Sequence, residues 1–163
     1  MPASGVDWAQ AFARQAFCDL KTRQALALTE SDKCQRLHLL QMAAEKVCKA
    51  YLHDGGNPVI RTHAVVEKYL PIIYRNLNGV QAVSGSEFNR IRRLAREIEL
   101  LAPACDAMGS RPDNTEYPWE DARGVVQTPV DYNFPEIDED DRGMTPLLRA
   151  LVRAAEQFAR GRA

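Results

Sequence analysis

The sequence predicts an all-α fold, an up-and-down bundle of four to five helices with a long aromatic and proline-rich loop before the last helix. Apolar residues recur at spacings of three and four residues along five segments, which is the period of an amphipathic helix. The segment 110–143 lacks this period and carries prolines, aromatic residues and an acidic run. At 163 residues, 45% of them hydrophobic, the chain is long and apolar enough for a single domain spanning 1–163.

The first two helices are predicted over about 7–29 and 32–53. Asp7 is a plausible N-cap, and the stripe expected to face the core consists of Trp8, Phe12, Ala16 and Leu20, with Ala13 and Phe17 beside it. In the second helix the repeat runs through Leu37, Leu40, Ala44, Val47 and Tyr51. Glycines and a proline in 55–58 then disfavour continuation.

The remaining helices are predicted over about 62–77, 86–104 and 146–160. Thr62 is the expected cap of the third, and Pro71 is expected to bend or split it because proline lacks an N–H. Ser84 and Glu87 fit a capping box for the fourth. Thr145 followed by Pro146 fits a cap and first turn for the last helix. The aromatics of the loop 110–143 indicate that it packs on the bundle.

Composition excludes several classes of function. A formal net charge of −1 argues against a protein that coats nucleic acid through overall charge. No apolar stretch approaches the roughly 20 residues of a membrane span, and no signal peptide is seen, so we expect no membrane association and a cytoplasmic location. The cysteines are scattered, which predicts reduced, structural thiols and no metal site: Cys18, Cys34, Cys48 and Cys105. No motif indicates a cofactor.

Three groups of side chains are candidates for a function. His38, Gln41, Glu45 and Lys49 share one side of the second helix and form either a polar site or a satisfied helix–helix network. Arg90, Arg92, Arg93 and Arg96 crowd the fourth helix opposite its apolar side, where they suit phosphate or RNA, or form a solvated face. The acidic run 136–141 can pair with such arginines within the molecule or across a dimer.

Several short motifs resemble the HEPN superfamily. The first is the run Leu37-His38-Leu39-Leu40-Gln41-Met42-Ala43-Ala44-Glu45-Lys46, continuing as Lys49-Ala50-Tyr51-Leu52. The second is Thr62-His63-Ala64-Val65 after a Gly-Gly-Asn-Pro turn, and the third is Glu116-Tyr117-Pro118-Trp119. The resemblance covers roughly 7–135, and it lies in the order and spacing of the motifs.

The resemblance implies a helical bundle that pairs as a homodimer. Many HEPN proteins are metal-independent ribonucleases in toxin–antitoxin or antiviral defence systems, and others are inactive partners of nucleotidyltransferases. The catalytic members carry an Arg, four to six residues and then a His. Here Arg111 is followed by Tyr117 in the histidine position, and a tyrosine is a poor base at neutral pH.

Two hypotheses follow from the sequence. In the first, the chain is a non-catalytic HEPN-like accessory protein that acts in a larger assembly, with a protein partner encoded by a neighbouring gene and RNA as a possible ligand. In the second, it is a metal-independent ribonuclease with a non-standard active site drawn from His63, Arg61, Arg111 and Tyr117. His63 is the best single candidate, because it lies in a predicted first helical turn where free backbone donors favour anions.

Overall fold

A computed structural model of the chain describes residues 7–56, 62–103 and 112–160. It is mostly helical, as predicted. Five helices run through these residues: α1 (Trp8–Ala27), α2 (Lys33–Asp54), α3 (Val66–Asn78), α4 (Gly85–Glu99) and α5 (Met144–Arg160). Between α4 and α5 a small antiparallel hairpin, which the sequence did not predict, pairs β1 (Trp119–Glu120) with β2 (Val126–Gln127).

The core lies between the five helices. α1 packs against α2 and α5, and α3 packs against α4. Every helix contributes residues to the buried cluster, among them Leu20, Leu37, Tyr74, Ile91 and Leu147. Four of the five apolar positions predicted for the second helix are fully buried, as the helical period indicated: Leu37, Leu40, Ala44 and Val47.

Two predicted helix caps are present in the structure. The Asp7 carboxylate accepts a hydrogen bond from the backbone N–H of Gln10, and the Ser84 hydroxyl accepts one from Glu87. Each satisfies a donor that the first helical turn would otherwise leave without a partner. The predicted C-terminal end of α4, residue 104, is too late, because the helix ends at Glu99. The backbone N–H groups of the next three residues, up to Ala102, form only turn hydrogen bonds.

The N-terminal boundaries of two helices differ from the prediction. Thr62 accepts a hydrogen bond from the N–H of Ala64, so it closes a short turn, and α3 begins four residues later at Val66. Pro71 does not split α3, which runs on to Asn78. α5 starts at Met144, so Thr145 is its second residue and not its cap.

Side-chain burial corrects two expectations on α1. Trp8 was expected in the core, but it is 48% exposed; its ring meets that of Phe12 at a tilt and stacks on His53 of α2. The Cys18 thiol is exposed, whereas Cys34 and Cys48 are buried in their helix as small apolar groups. Cys105 lies outside the described residues.

The described part of the long loop, 112–143, packs on the bundle through two buried apolar side chains. Phe134 and Ile137 are each 1% exposed. The rings of Trp119 and Tyr132 meet Phe134 in edge-on and tilted contacts, with centroids 5.1 to 6.4 Å apart. Phe134 takes a φ of +46°, a left-handed conformation that is uncommon outside glycine. The loop is thus anchored by aromatic packing, as its composition indicated.

Candidate functional site

A buried carboxylate, Glu45, lies at the centre of the polar side chains on α2. Lys49 donates to its Oε1 over 2.7 Å, and Gln41 donates to its Oε2 over 3.0 Å. The three residues follow one another at intervals of four, so their side chains stack along one side of the helix. All three are at most 8% exposed. Three members of the predicted cluster therefore form one internal hydrogen-bond network, in which the positive charge of Lys49 balances the negative charge of Glu45.

His63 joins this network from outside the helix. Its Nδ1 lies 3.1 Å from each oxygen of Glu45, while its side chain stays 52% exposed. The residue stands in the short turn between Thr62 and Val65 that precedes α3. An ionised carboxylate only accepts hydrogen bonds, so Nδ1 carries a proton in this contact. When the ring is neutral, Nε2 is then the acceptor.

The environment keeps Glu45 ionised at neutral pH. Burial on its own raises the pKa of this carboxyl group, but hydrogen bonds from Lys49, His63 and Gln41 together outweigh burial and leave the pKa below its ordinary value. A carboxylate with so many donors has little capacity left for a further ligand. Glu45 therefore acts as a fixed anchor for the side chains around it.

His38 lies two turns of α2 before Glu45 and contacts a different element. Its Nδ1 is 3.3 Å from the hydroxyl of Thr115 in the long loop. The N–H of Thr115 in turn donates to the backbone oxygen of Leu101, just after α4. His38 thus faces the loop and takes no part in the hydrogen bonds around Glu45, so the predicted four-residue cluster divides into two parts.

A buried asparagine orders the loop beside these histidines. The Asn114 side-chain oxygen accepts hydrogen bonds from the N–H groups of Glu116, at 2.9 Å, and Tyr117, at 2.7 Å. Its amide donates to the backbone oxygen of Pro112. Asn114 is 6% exposed, whereas Tyr117 is 62% exposed. Asn114 was not among the predicted site residues, although asparagine commonly accepts hydrogen bonds from backbone N–H groups two and three residues later in a turn.

These elements enclose a cavity of about 470 Å³, named here the α2 pocket. It is lined by His38, Gln41, Met42, Glu45, His63, Ala102, Pro103, Glu116 and Tyr117. The structure therefore brings His63 and Tyr117, from the predicted ribonuclease set, together with three residues of the α2 cluster. The other two residues of that set, Arg61 and Arg111, lie outside the described residues.

The arginines of α4 do not form one free basic face. Arg90 and Arg93 both approach Asp141 of the loop, at 4.0 and 3.1 Å. Arg92 instead lines a separate cavity beside Glu99, and Arg96 is exposed near the end of the helix. The acidic run thus neutralises part of the expected phosphate-binding patch within the molecule, which was one of the two pairings predicted for it.

A second acidic residue of the same run ties the loop to α1 and α2. Glu139 accepts hydrogen bonds from Arg23, at 2.7 Å, and from Arg36, at 2.8 Å. Arg23 is buried, with a side chain 8% exposed, and burial lowers its pKa. Two carboxylates therefore fasten the loop to arginines of three helices.

Comparison of the chain with protein-family models, with curated proteins and with solved structures gives no match. The resemblance to the HEPN superfamily accordingly rests on the three sequence motifs and stays a prediction. None of the five described helices has both the length and the apolar character that a membrane span requires. Across 7–56, 62–103 and 112–160, no group of three or more His, Cys, Asp or Glu side chains is arranged to hold a metal ion.

Proposed function

We propose that this chain is a non-catalytic HEPN-like binding protein, an accessory subunit of a larger assembly, and that the α2 pocket is its recognition site. The observation that carries the proposal is that no described residue of the pocket lining offers a cation for a phosphate group. The described residues of the lining include no lysine or arginine, and the ammonium group of Lys49, outside the lining, is bound to the carboxylate of Glu45. Cleavage of RNA without a metal needs a cation beside the phosphate.

The position of Tyr117 also favours binding over cleavage. It stands where the ribonucleases of the resembled family carry a histidine, and it lines the α2 pocket as a residue that is 62% exposed. A phenol is a poor general base, so it does not take a proton from a ribose hydroxyl efficiently at neutral pH. An exposed tyrosine is a common contact residue in protein interfaces.

By analogy with the resembled family, the setting we propose is a toxin–antitoxin or antiviral defence system in the cytoplasm, with the chain as a homodimer. Exposed apolar side chains offer surface for such contacts: Trp8 is 48% and Leu28 85% exposed. Light scattering at micromolar concentration tests the dimer, and a monomer would refute it.

The test of the binding role combines two measurements on the purified protein. The first is incubation with single-stranded and structured RNA in the presence of a chelator, for which we expect no cleavage. The second is co-purification with the product of a neighbouring gene, which we expect to be stable and to weaken when Tyr117 is replaced by Ala. Cleavage that is lost in His63→Ala would overturn the proposal.

A second candidate function, metal-independent ribonuclease activity, is favoured by one observation. The contact of Glu45 with Nδ1 of His63 is the arrangement by which a carboxylate orients an imidazole as a general base. In this case His63→Ala abolishes cleavage. The matched control is His53→Gln, because His53 stacks on Phe12 away from the α2 pocket.

A further inference from the structure

We infer that the α2 pocket receives an arginine side chain of a protein partner, held by the ring of Tyr117, the carboxylate of Glu116 and Nε2 of His63. This inference rests on the proposed binding role and names the chemistry of the group that is bound. The reason is that some polar groups of the lining already have hydrogen-bond partners within the protein, whereas others are left to bind a ligand.

Glu45 and Lys49 contribute no net charge to a ligand. Both oxygens of Glu45 accept hydrogen bonds from its neighbours, and the Lys49 side chain is 10% exposed with its ammonium group on that carboxylate. The two charges compensate each other within the wall of the pocket. A ligand therefore meets the remaining groups of the lining.

Two of those remaining groups present hydrogen-bond acceptors. His63 has its Nδ1–H on Glu45, which leaves Nε2 as an acceptor while the ring is neutral. Glu116 is an exposed carboxylate whose backbone N–H is held by Asn114. No described residue of the lining supplies a cation to pair with Glu116. A donor-rich cation suits such a lining, and a phosphate does not.

The aromatic and apolar parts of the lining select arginine among such cations. Tyr117 is held in place through its backbone by Asn114 and presents an exposed ring. A guanidinium group is planar, stacks on aromatic rings and donates to a carboxylate with two N–H groups at once. Met42, Ala102 and Pro103 supply apolar surface for the methylene stem. Arginine is also one of the residues most enriched at the energetic centres of protein interfaces.

The test uses short peptides followed by NMR at the His63 imidazole and the Tyr117 amide. Gly-Gly-Arg-Gly-Gly is compared with the same peptide carrying citrulline, which has nearly the same shape without the charge, and with inorganic phosphate. We expect the arginine peptide to bind with a dissociation constant on the order of 1–10 mM, typical of a single anchor residue. The citrulline peptide and phosphate should not bind.

Variants of the lining separate the contributions of the ring and the carboxylate. Tyr117→Leu and Glu116→Gln should each weaken binding about threefold, and the double variant about tenfold. Tyr117→Phe keeps the ring and should bind like the unmodified protein. All four leave the buried network around Glu45 intact, so their folding is checked by circular dichroism and is expected to be unchanged.

Three results would each overturn the inference. They are equal binding of the citrulline peptide, binding of inorganic phosphate, and no spectral change with arginine peptide up to about 50 mM. None of them removes the proposed accessory role, which is decided by RNA incubation and co-purification. RNA cleavage dependent on His63 would instead remove that role itself.

Discussion

Nδ1 of His63 lies 3.1 Å from the carboxylate oxygens of Glu45, so a half-exposed side chain before α3 is held by a buried residue of α2. The same carboxylate takes hydrogen bonds from Lys49 and Gln41. One buried charge thus fixes a histidine at the surface of the α2 pocket.

Replacing Glu45 should be among the most destabilising single changes on α2. Glu45→Gln leaves the Lys49 ammonium buried without a counter-charge, and breaking such a pair costs about 3–5 kcal/mol of the free energy of unfolding. Urea denaturation measures the loss. The control is Glu45→Gln combined with Lys49→Met, which removes both charges and keeps an unbranched chain near Phe12. It should recover most of the stability, and a double variant as weak as the single one would contradict this account.

The lowered pKa of Glu45 also predicts how stability depends on pH. The folded-state pKa lies below the ordinary value of 4.5, so the ionised group stabilises the fold fully above about pH 4.5. This contribution is lost as the pH falls through the lowered folded-state pKa. The difference in free energy of unfolding between the unmodified protein and Glu45→Gln should therefore be constant near neutral pH and shrink below pH 4.5. A difference that stays constant down to pH 3 would refute the linkage.

The contact of Glu139 with two arginines predicts a stabilising role for one residue of the acidic run. Glu139→Gln leaves Arg23 buried without its carboxylate partner, which should cost about 2 kcal/mol. Asp140→Asn makes the same charge change one position later at an exposed side chain and should cost less than about 0.5 kcal/mol. Thermal denaturation of both variants in the same buffer measures the difference. Equal effects would show that only the net charge of the run matters.

Local sequence signals predicted the helices well and their contacts poorly. The period of three and four residues located α1, α2 and α4, and Asp7 and Ser84 mark where two of them begin. These signals act within a few residues, so one sequence is enough to recognise them. The start of α3 was placed too early. Thr62 is a residue type that commonly caps helices, but its hydroxyl closes a short turn that precedes the helix.

The candidate site depends on contacts between residues far apart in the chain. His63 and Glu45 are separated by 18 positions, and His38 and Thr115 by 77. Nothing in a single sequence states which of several histidines will meet a given carboxylate. The short hairpin was also missed, since two strands of two residues carry no measurable alternation. Residue types were thus predictable, and their partners were not.

The packing of the loop against α4 makes Gly143 sensitive to any side chain. A Cβ at Gly143 would lie 2.9 Å from side-chain carbons of Arg90 and Leu94, closer than Cβ contacts normally come. Gly143→Ala should cost about 1–3 kcal/mol, because Leu94 is buried and has little room to move. Gly85→Ala is the matched control: a Cβ there meets nothing within 4 Å, and alanine should leave stability unchanged or raise it by up to about 1 kcal/mol. Thermal unfolding of the two variants decides the matter, and equal melting temperatures would contradict it.

The phenol of Tyr74 should titrate unusually late. Burial raises its pKa to about 12, and its hydrogen bond to the Glu87 carboxyl group on α4 adds to the effect. Because the folded-state pKa is raised, the stability linked to this group is complete below about pH 10 and is lost as the pH rises toward 12. The difference in ultraviolet absorbance between the unmodified protein and Tyr74→Phe, followed from pH 8 to 12.5, isolates this phenol. A midpoint near 10 in the folded protein would show that α3 and α4 do not enclose Tyr74 as the structure has it.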